Sequence, residues 1–180
     1  MDDFLYKHID VENIDEITEE LLAWHEDNAT NKSQFKLIST REVLRSLPKL
    51  ADWFNKNNIT PTDTLYLNTN PLTVQGIHLD TPDKRSNNLA LNFPIKHCNN
   101  TFTRFYKDTG KYVDWVNKET NASYRLLDEE EPELIGEYHL TKPTLLNILV
   151  PHQVFNPNRQ HRVCLSFRFR NDPWHLVTKD

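Results

Sequence analysis

The sequence predicts a mainly β chain of the α+β class, a sandwich or jelly roll with two N-terminal helices packed on one sheet. Three observations carry this. Apolar residues recur at helical spacing before Pro61, they switch to short strand-like runs after it, and turn residues separate those runs at regular intervals. The chain reads as a single domain over 1–180, with 1–60 as helical support, 61–170 as a β-barrel core and 171–180 as a C-terminal tail.

From Val11 to about Asp27, Ile14, Ile17, Leu21 and Trp24 fall on one helical face, and Asp10 is placed to cap the helix. A polar loop follows from Asn28 to Gln34, and Phe35 to Ile38 reads as a short strand or extended lead-in. Ser39-Thr40-Arg41-Glu42 is a capping-box pattern, and Val43, Leu44, Leu47, Leu50 and Phe54 trace a second stripe that Pro48 kinks or splits. Strand-like segments then run Leu65–Asn68, Leu72–Leu79, Asn88–Ile95, Thr101–Tyr106, Tyr112–Val116, Glu137–Leu140, Leu145–Val150 and Val163–Phe169. The acidic stretch Asp128 to Glu133 lacks the glycine-enforced spacing of a calcium loop and reads as a solvated turn. Trp115 and Trp174 read as packing residues.

A net charge of −5 gives no general attraction for phosphate backbones, which argues against a nucleic-acid partner. Cys98 and Cys164 have neither metal-type spacing nor a disulfide framework, which suits a reducing compartment. The acidic start carries no apolar signal core and no run is long enough to span a bilayer, so a cytoplasmic location without a membrane partner is the expectation.

The chemistry is concentrated in two places. Of three His-x-Asp triplets, His25-Glu26-Asp27 ends a helix, where residues two apart diverge by roughly 200°. His8-Ile9-Asp10 precedes one, leaving Asp10 its capping role. Only His78-Leu79-Asp80 lies at the mouth of a strand, where positions two apart share a face. A third ligand comes from another strand. His152, ending the apolar run Leu145–Val150, is the first candidate, with His97, His139 and His161 as competitors. Two imidazoles and one carboxylate form the ligand set of a facial-triad non-haem Fe(II) site. Behind His152, the strand Arg162–Phe169 places Arg162, Cys164, Ser166 and Arg168 on one face and Val163, Leu165, Phe167 and Phe169 on the other. A charged row directed into a barrel is costly unless an anion meets it there, and a dicarboxylate fits the guanidinium fork.

Taken together, His78, Asp80, His152 and an arginine ten residues after the distal histidine resemble the Fe(II)/2-oxoglutarate-dependent dioxygenases of the double-stranded β-helix (cupin-like) fold. Leu89 to Ile95 is similar to the strand that follows the first motif in prolyl and aspartyl hydroxylase-like members. The resemblance covers roughly residues 65–170 and implies a hydroxylase. Fe(II) would be held by His78, Asp80 and His152, with 2-oxoglutarate anchored by Arg162 and O2 as co-reactant. Ser166 is a further candidate for the cosubstrate carboxylate, because Cys164 stands where many members carry the helping hydroxyl, and Arg168 is the alternative anchor. Tyr106 and Arg104 are candidates for the same cavity, as are Arg85 and Asn92. The substrate implied by the resemblance is a small molecule or a peptidyl side chain. Two other readings compete: a non-catalytic cupin-like module, and a metallocupin that does not use 2-oxoglutarate.

Overall fold

A computed structural model describes residues 4–28, 34–80, 88–116 and 123–178. Helix α1 (Ile14–Asn28) starts with its apolar stripe at Ile14, later than the expected Val11. Asn13 takes a left-handed backbone with φ 58° and its carbonyl accepts from Ile17 N–H, so the helix begins there. Asp10 is therefore no cap; it pairs with Lys142 at 3.0 Å. The second stripe divides into α2 (Thr40–Ser46) and α3 (Pro48–Lys56). Pro48 has no N–H for a continuous helix, and its fixed φ suits the first turn of a new one. Ser39 caps α2, its hydroxyl accepting from Glu42 N–H at 3.4 Å. A short α4 (His175–Thr178) occupies the C-terminal tail.

Among the described residues, thirteen strands form two antiparallel sheets. The first is ordered β1 (Tyr6–His8), β11 (Thr144–Asn147), β6 (Leu89–Lys96), β13 (Arg162–Phe169), β3 (Pro61–Thr69) and β2 (Gln34–Ile38). The second is ordered β10 (Leu134–His139), β7 (Phe102–Tyr106), β12 (His152–Asn156), β5 (His78–Asp80), β9 (Ser123–Leu127) and β8 (Tyr112–Val116), with β4 (Thr73–Val74) beside β12. This is the expected mainly β jelly roll. The expected strand Leu72–Leu79 is broken into β4 and β5, and Leu72 itself has φ 52°. His152 does not end the preceding apolar run. β11 stops at Asn147, and His152 opens a separate strand.

The alternation in β13 divides the molecule's two cores. Val163, Leu165, Phe167 and Phe169 face the helices and pack with Ile17, Leu21, Leu50 and Phe54. Phe54 meets Phe167 edge-on at 5.0 Å between centroids. On the other face, Cys164 joins Ala90, Phe105, Tyr138 and Leu146 in a smaller core between the sheets. That inner core is incomplete, and a cavity of about 500 Å³ takes up the remaining space. Trp174 packs edge-on against Phe4 as expected of a packing residue. Trp115 does not: it is 45% exposed and stands at the cavity rim.

Candidate metal centre

The strand register assembles the site. His152 is the direct cross-strand partner of His78, and Asp80 lies two residues along β5 on the same face. One nitrogen from each imidazole and one oxygen of Asp80 lie within 4.8 Å of one another, and among the described residues this is the one such cluster of potential metal ligands. The imidazoles are held alike. His78 Nδ1–H donates to the Gly76 carbonyl at 2.8 Å, and His152 Nδ1–H donates to the Val150 carbonyl at 2.9 Å. A carbonyl can only accept, so each Nδ1 carries a proton and Nε2 is the ring nitrogen left to face a metal. His78 Nε2 is 3.7 Å from Asp80 Oδ1.

Electrostatics prepares the same donor set. Burial and the neighbouring His78 push the His152 imidazole down to about 4, so it stays neutral near pH 7. Burial alone would raise the Asp80 carboxyl, but the Arg168 guanidinium and the two imidazoles outweigh it and hold the group below the ordinary carboxylate range. Arg168 Nη2 donates to Asp80 Oδ2 at 2.6 Å, and its Nη1 donates to Ser166 Oγ at 2.6 Å. One carboxylate oxygen is thereby engaged and Oδ1 is left for a cation.

Arg162 lies at the opposite end of β13's inner face. It is 2% exposed, donating from Nε to Thr101 Oγ1 at 3.2 Å and from Nη1 to Cys164 Sγ at 3.4 Å. No ion pair reaches it among the described residues. Asn92 and Tyr138 are further buried polar groups of the inter-sheet interior, and Asn92 lines the cavity. Sequence reasoning missed Tyr138 and the cavity-lining Thr103. Strand alternation in β10 and β7 was the available signal, but it does not tell which face turns inward.

The remaining candidates separate cleanly. Ser166 lines the cavity, with its hydroxyl taken up by Arg168. Tyr106 does not line it. Thr103 and Phe105 point inward from β7, so Tyr106 and Arg104 emerge on the outer face, where Tyr106 donates to Gln153 Oε1 and Arg104 to Glu137. His97 sits in a left-handed turn, His139 packs on Phe102, and His161 bonds Asn68 Oδ1. Arg85 lies outside the described residues.

Solved structures share this architecture. HygX from Streptomyces hygroscopicus, solved with nickel and 2-oxoglutarate bound, superposes with a TM-score of 0.55 at 11% identity, over 94% of this chain and 83% of its own. The epimerase SnoN, solved with Fe3+, α-ketoglutarate and nogalamycin RO, gives 0.53 at 12% identity, over 93% and 79%. The chain has the fold of the Fe(II)/2-oxoglutarate oxygenases. A Pseudomonas putida prolyl-4-hydroxylase overlays less closely, with a TM-score of 0.49 at 12% identity over 95% of both chains. No protein-family model matches the sequence, and no curated protein matches it. No helix among the described residues is long and apolar enough to cross a membrane.

Proposed function

We propose that this protein is an Fe(II)/2-oxoglutarate-dependent oxygenase that hydroxylates a C–H bond of a small or peptidyl substrate. The observation that carries the reading is one cavity with two features. At one end His78, Asp80 and His152 converge, and a buried guanidinium without an ion pair stands at its margin in Arg162. The donor set fits the metal: two imidazoles with Nδ1 tied back to carbonyls and one carboxylate held ionised by Arg168 suit Fe(II) and leave coordination positions open. The polar lining fits the cosubstrate, since a buried Arg held by only a hydroxyl and a thiol is completed by a carboxylate.

On this reading His78, Asp80 and His152 hold the iron. The iron and 2-oxoglutarate together supply oxygen activation, with succinate and CO2 as coproducts. The protein's own work is positional. The Gly76 and Val150 carbonyls fix the imidazole tautomers, and Arg168 orients Asp80 through Oδ2. Arg162 takes the far carboxylate of the cosubstrate through its guanidinium. Arg168 thus serves the metal end and Arg162 the anion end. A non-catalytic module has no use for a charge buried as Arg162 is.

The test is conversion of 2-oxoglutarate to succinate, followed by NMR with Fe(II), ascorbate and air. Wild type is expected to produce succinate slowly even without its own substrate, and Asp80→Ala to produce none. Equal succinate from both proteins contradicts the proposal.

A further inference from the structure

The open side of the cavity has its own chemistry, set by two sheet edges that face each other. β2 and β8 are the edge strands of the two sheets, and both contribute to the cavity wall. On the first sheet, Phe35 pairs with Leu67 and Leu37 with Leu65, four apolar side chains in one ladder. On the second, Asp80, Tyr124 and Trp115 stand in one cross-strand row over β5, β9 and β8. The Trp115 and Tyr124 rings lie 5.9 Å apart, and Tyr124 meets His78 edge-on at 5.2 Å. An aromatic wall therefore leads from solvent to the metal ligands. Leu37 is 65% exposed and Trp115 45% exposed. Two large apolar groups left open on facing rims mark a surface that something apolar covers.

One charge interrupts this wall. Asp63 lines the cavity as the cross-strand partner of Arg168, and apart from Asp80 it is the one carboxylate among the described lining residues. Arg168 is committed to Asp80 and Ser166, so Asp63 has no ion pair among the described residues and accepts only from the Thr62 hydroxyl, at 3.0 Å. An acceptor of this kind beside apolar walls attracts a cationic head and repels an anionic one.

We infer that the substrate of this site has an apolar body, stacked between Trp115/Tyr124 and the Phe35–Leu65 ladder, and a single ammonium or other cationic head directed to Asp63. The inference rests on the oxygenase reading for its reaction but not for its binding geometry. A cavity of about 500 Å³ shared with a cosubstrate limits the occupant to a small molecule or one presented side chain.

The test uses three probes of matched shape: 4-phenylbutylamine, 4-phenylbutanol and 4-phenylbutyrate. Each is titrated into 5-fluorotryptophan-labelled protein, with and without Mn(II) and 2-oxoglutarate. Four tryptophans give four 19F resonances, and Trp115→Phe assigns the relevant one. The amine is expected to shift the Trp115 signal with at least tenfold higher affinity than the carboxylate and the alcohol to fall between. Asp63→Asn is expected to remove the ranking, and Tyr124→Ala to weaken all three. Equal affinities, a preference for the carboxylate, a ranking that survives Asp63→Asn, or no shift of Trp115 by any probe overturns the inference. The visible band of Fe(II) with 2-oxoglutarate, read anaerobically on the same proteins, separates the two ideas. An intact band with no amine preference overturns the substrate class alone, and amine preference without a band overturns the oxygenase reading alone.

Discussion

His78 and His152 stand directly opposite each other on adjacent strands, their ring centroids 4.5 Å apart, and each ring is tied by Nδ1 to the carbonyl two residues upstream. Two remote segments thus use the same local device to aim an imidazole Nε2 into one space. Preorganisation of this kind means that metal binding needs little rearrangement of the strands, and that the native state alone carries the site.

Mn(II) or Ni(II) is therefore expected to stabilise the folded protein by mass action, by about 2.7 kcal/mol at a hundredfold excess over the dissociation constant. Thermal unfolding with and without metal measures it. His152→Ala is expected to abolish the metal-dependent shift, and an unchanged shift in that variant would remove His152 from the ligand set.

Arg162 should show opposite effects on stability and binding. A buried cation without an ion pair costs stability, so Arg162→Met is expected to leave the cosubstrate-free protein as stable as wild type or more so, by ~1 kcal/mol. The same change is expected to weaken 2-oxoglutarate binding about a hundredfold, ~3 kcal/mol. Urea midpoints and calorimetric titration give the two quantities on one sample.

Arg168 should behave differently. Arg168→Met leaves the Asp80 carboxylate buried without its guanidinium, which is expected to cost roughly 3 kcal/mol in the metal-free protein. Burial then dominates the Asp80 carboxyl and raises it, so metal affinity in the variant falls more steeply from pH 8 to pH 6 than in wild type. Metal titrations at the two pH values test this.

Much of this site was legible because strands have a simple period. The face shared by His78 and Asp80, and the division of β13 into a charged face and an apolar one, follow from alternation alone. The Pro48 break and the Ser39 cap were legible for a different reason, since each is a local backbone effect. What escaped depends on pairing across the chain. β9, which carries Tyr124, and the separate strand opened by His152 have no strong local pattern. Tyr106, a candidate for the cavity, lies on the outer face of β7; alternation gives two faces without saying which is inside. Trp115 was read as packing because an exposed aromatic at a cavity rim and a buried one look the same in sequence. The bond from Arg168 to Asp80 is a three-dimensional contact that the alternation of β13 does not encode.

Away from the site, His25 on α1 couples stability to acid. It is buried against Tyr66, with its Nδ1 3.0 Å from the Tyr66 hydroxyl, and burial followed by the nearby Lys96 charge lowers its affinity for a proton. The unfolded chain takes up that proton near the ordinary value of about 6.5, and the folded protein only at lower pH. The stability it contributes is thus present above pH 6.5 and lost as pH falls toward the folded value. The urea midpoint of wild type is expected to drop more between pH 7 and pH 5 than that of His25→Gln. An equal drop would show that His25 does not carry the coupling.

The most direct measurement is optical. Anaerobic Fe(II) added to the protein with saturating 2-oxoglutarate is expected to give a weak visible charge-transfer band, absent without 2-oxoglutarate and absent in Asp80→Ala. No band in wild type, or the same band in the Asp80 variant, would contradict the assignment of this cavity to iron and 2-oxoglutarate.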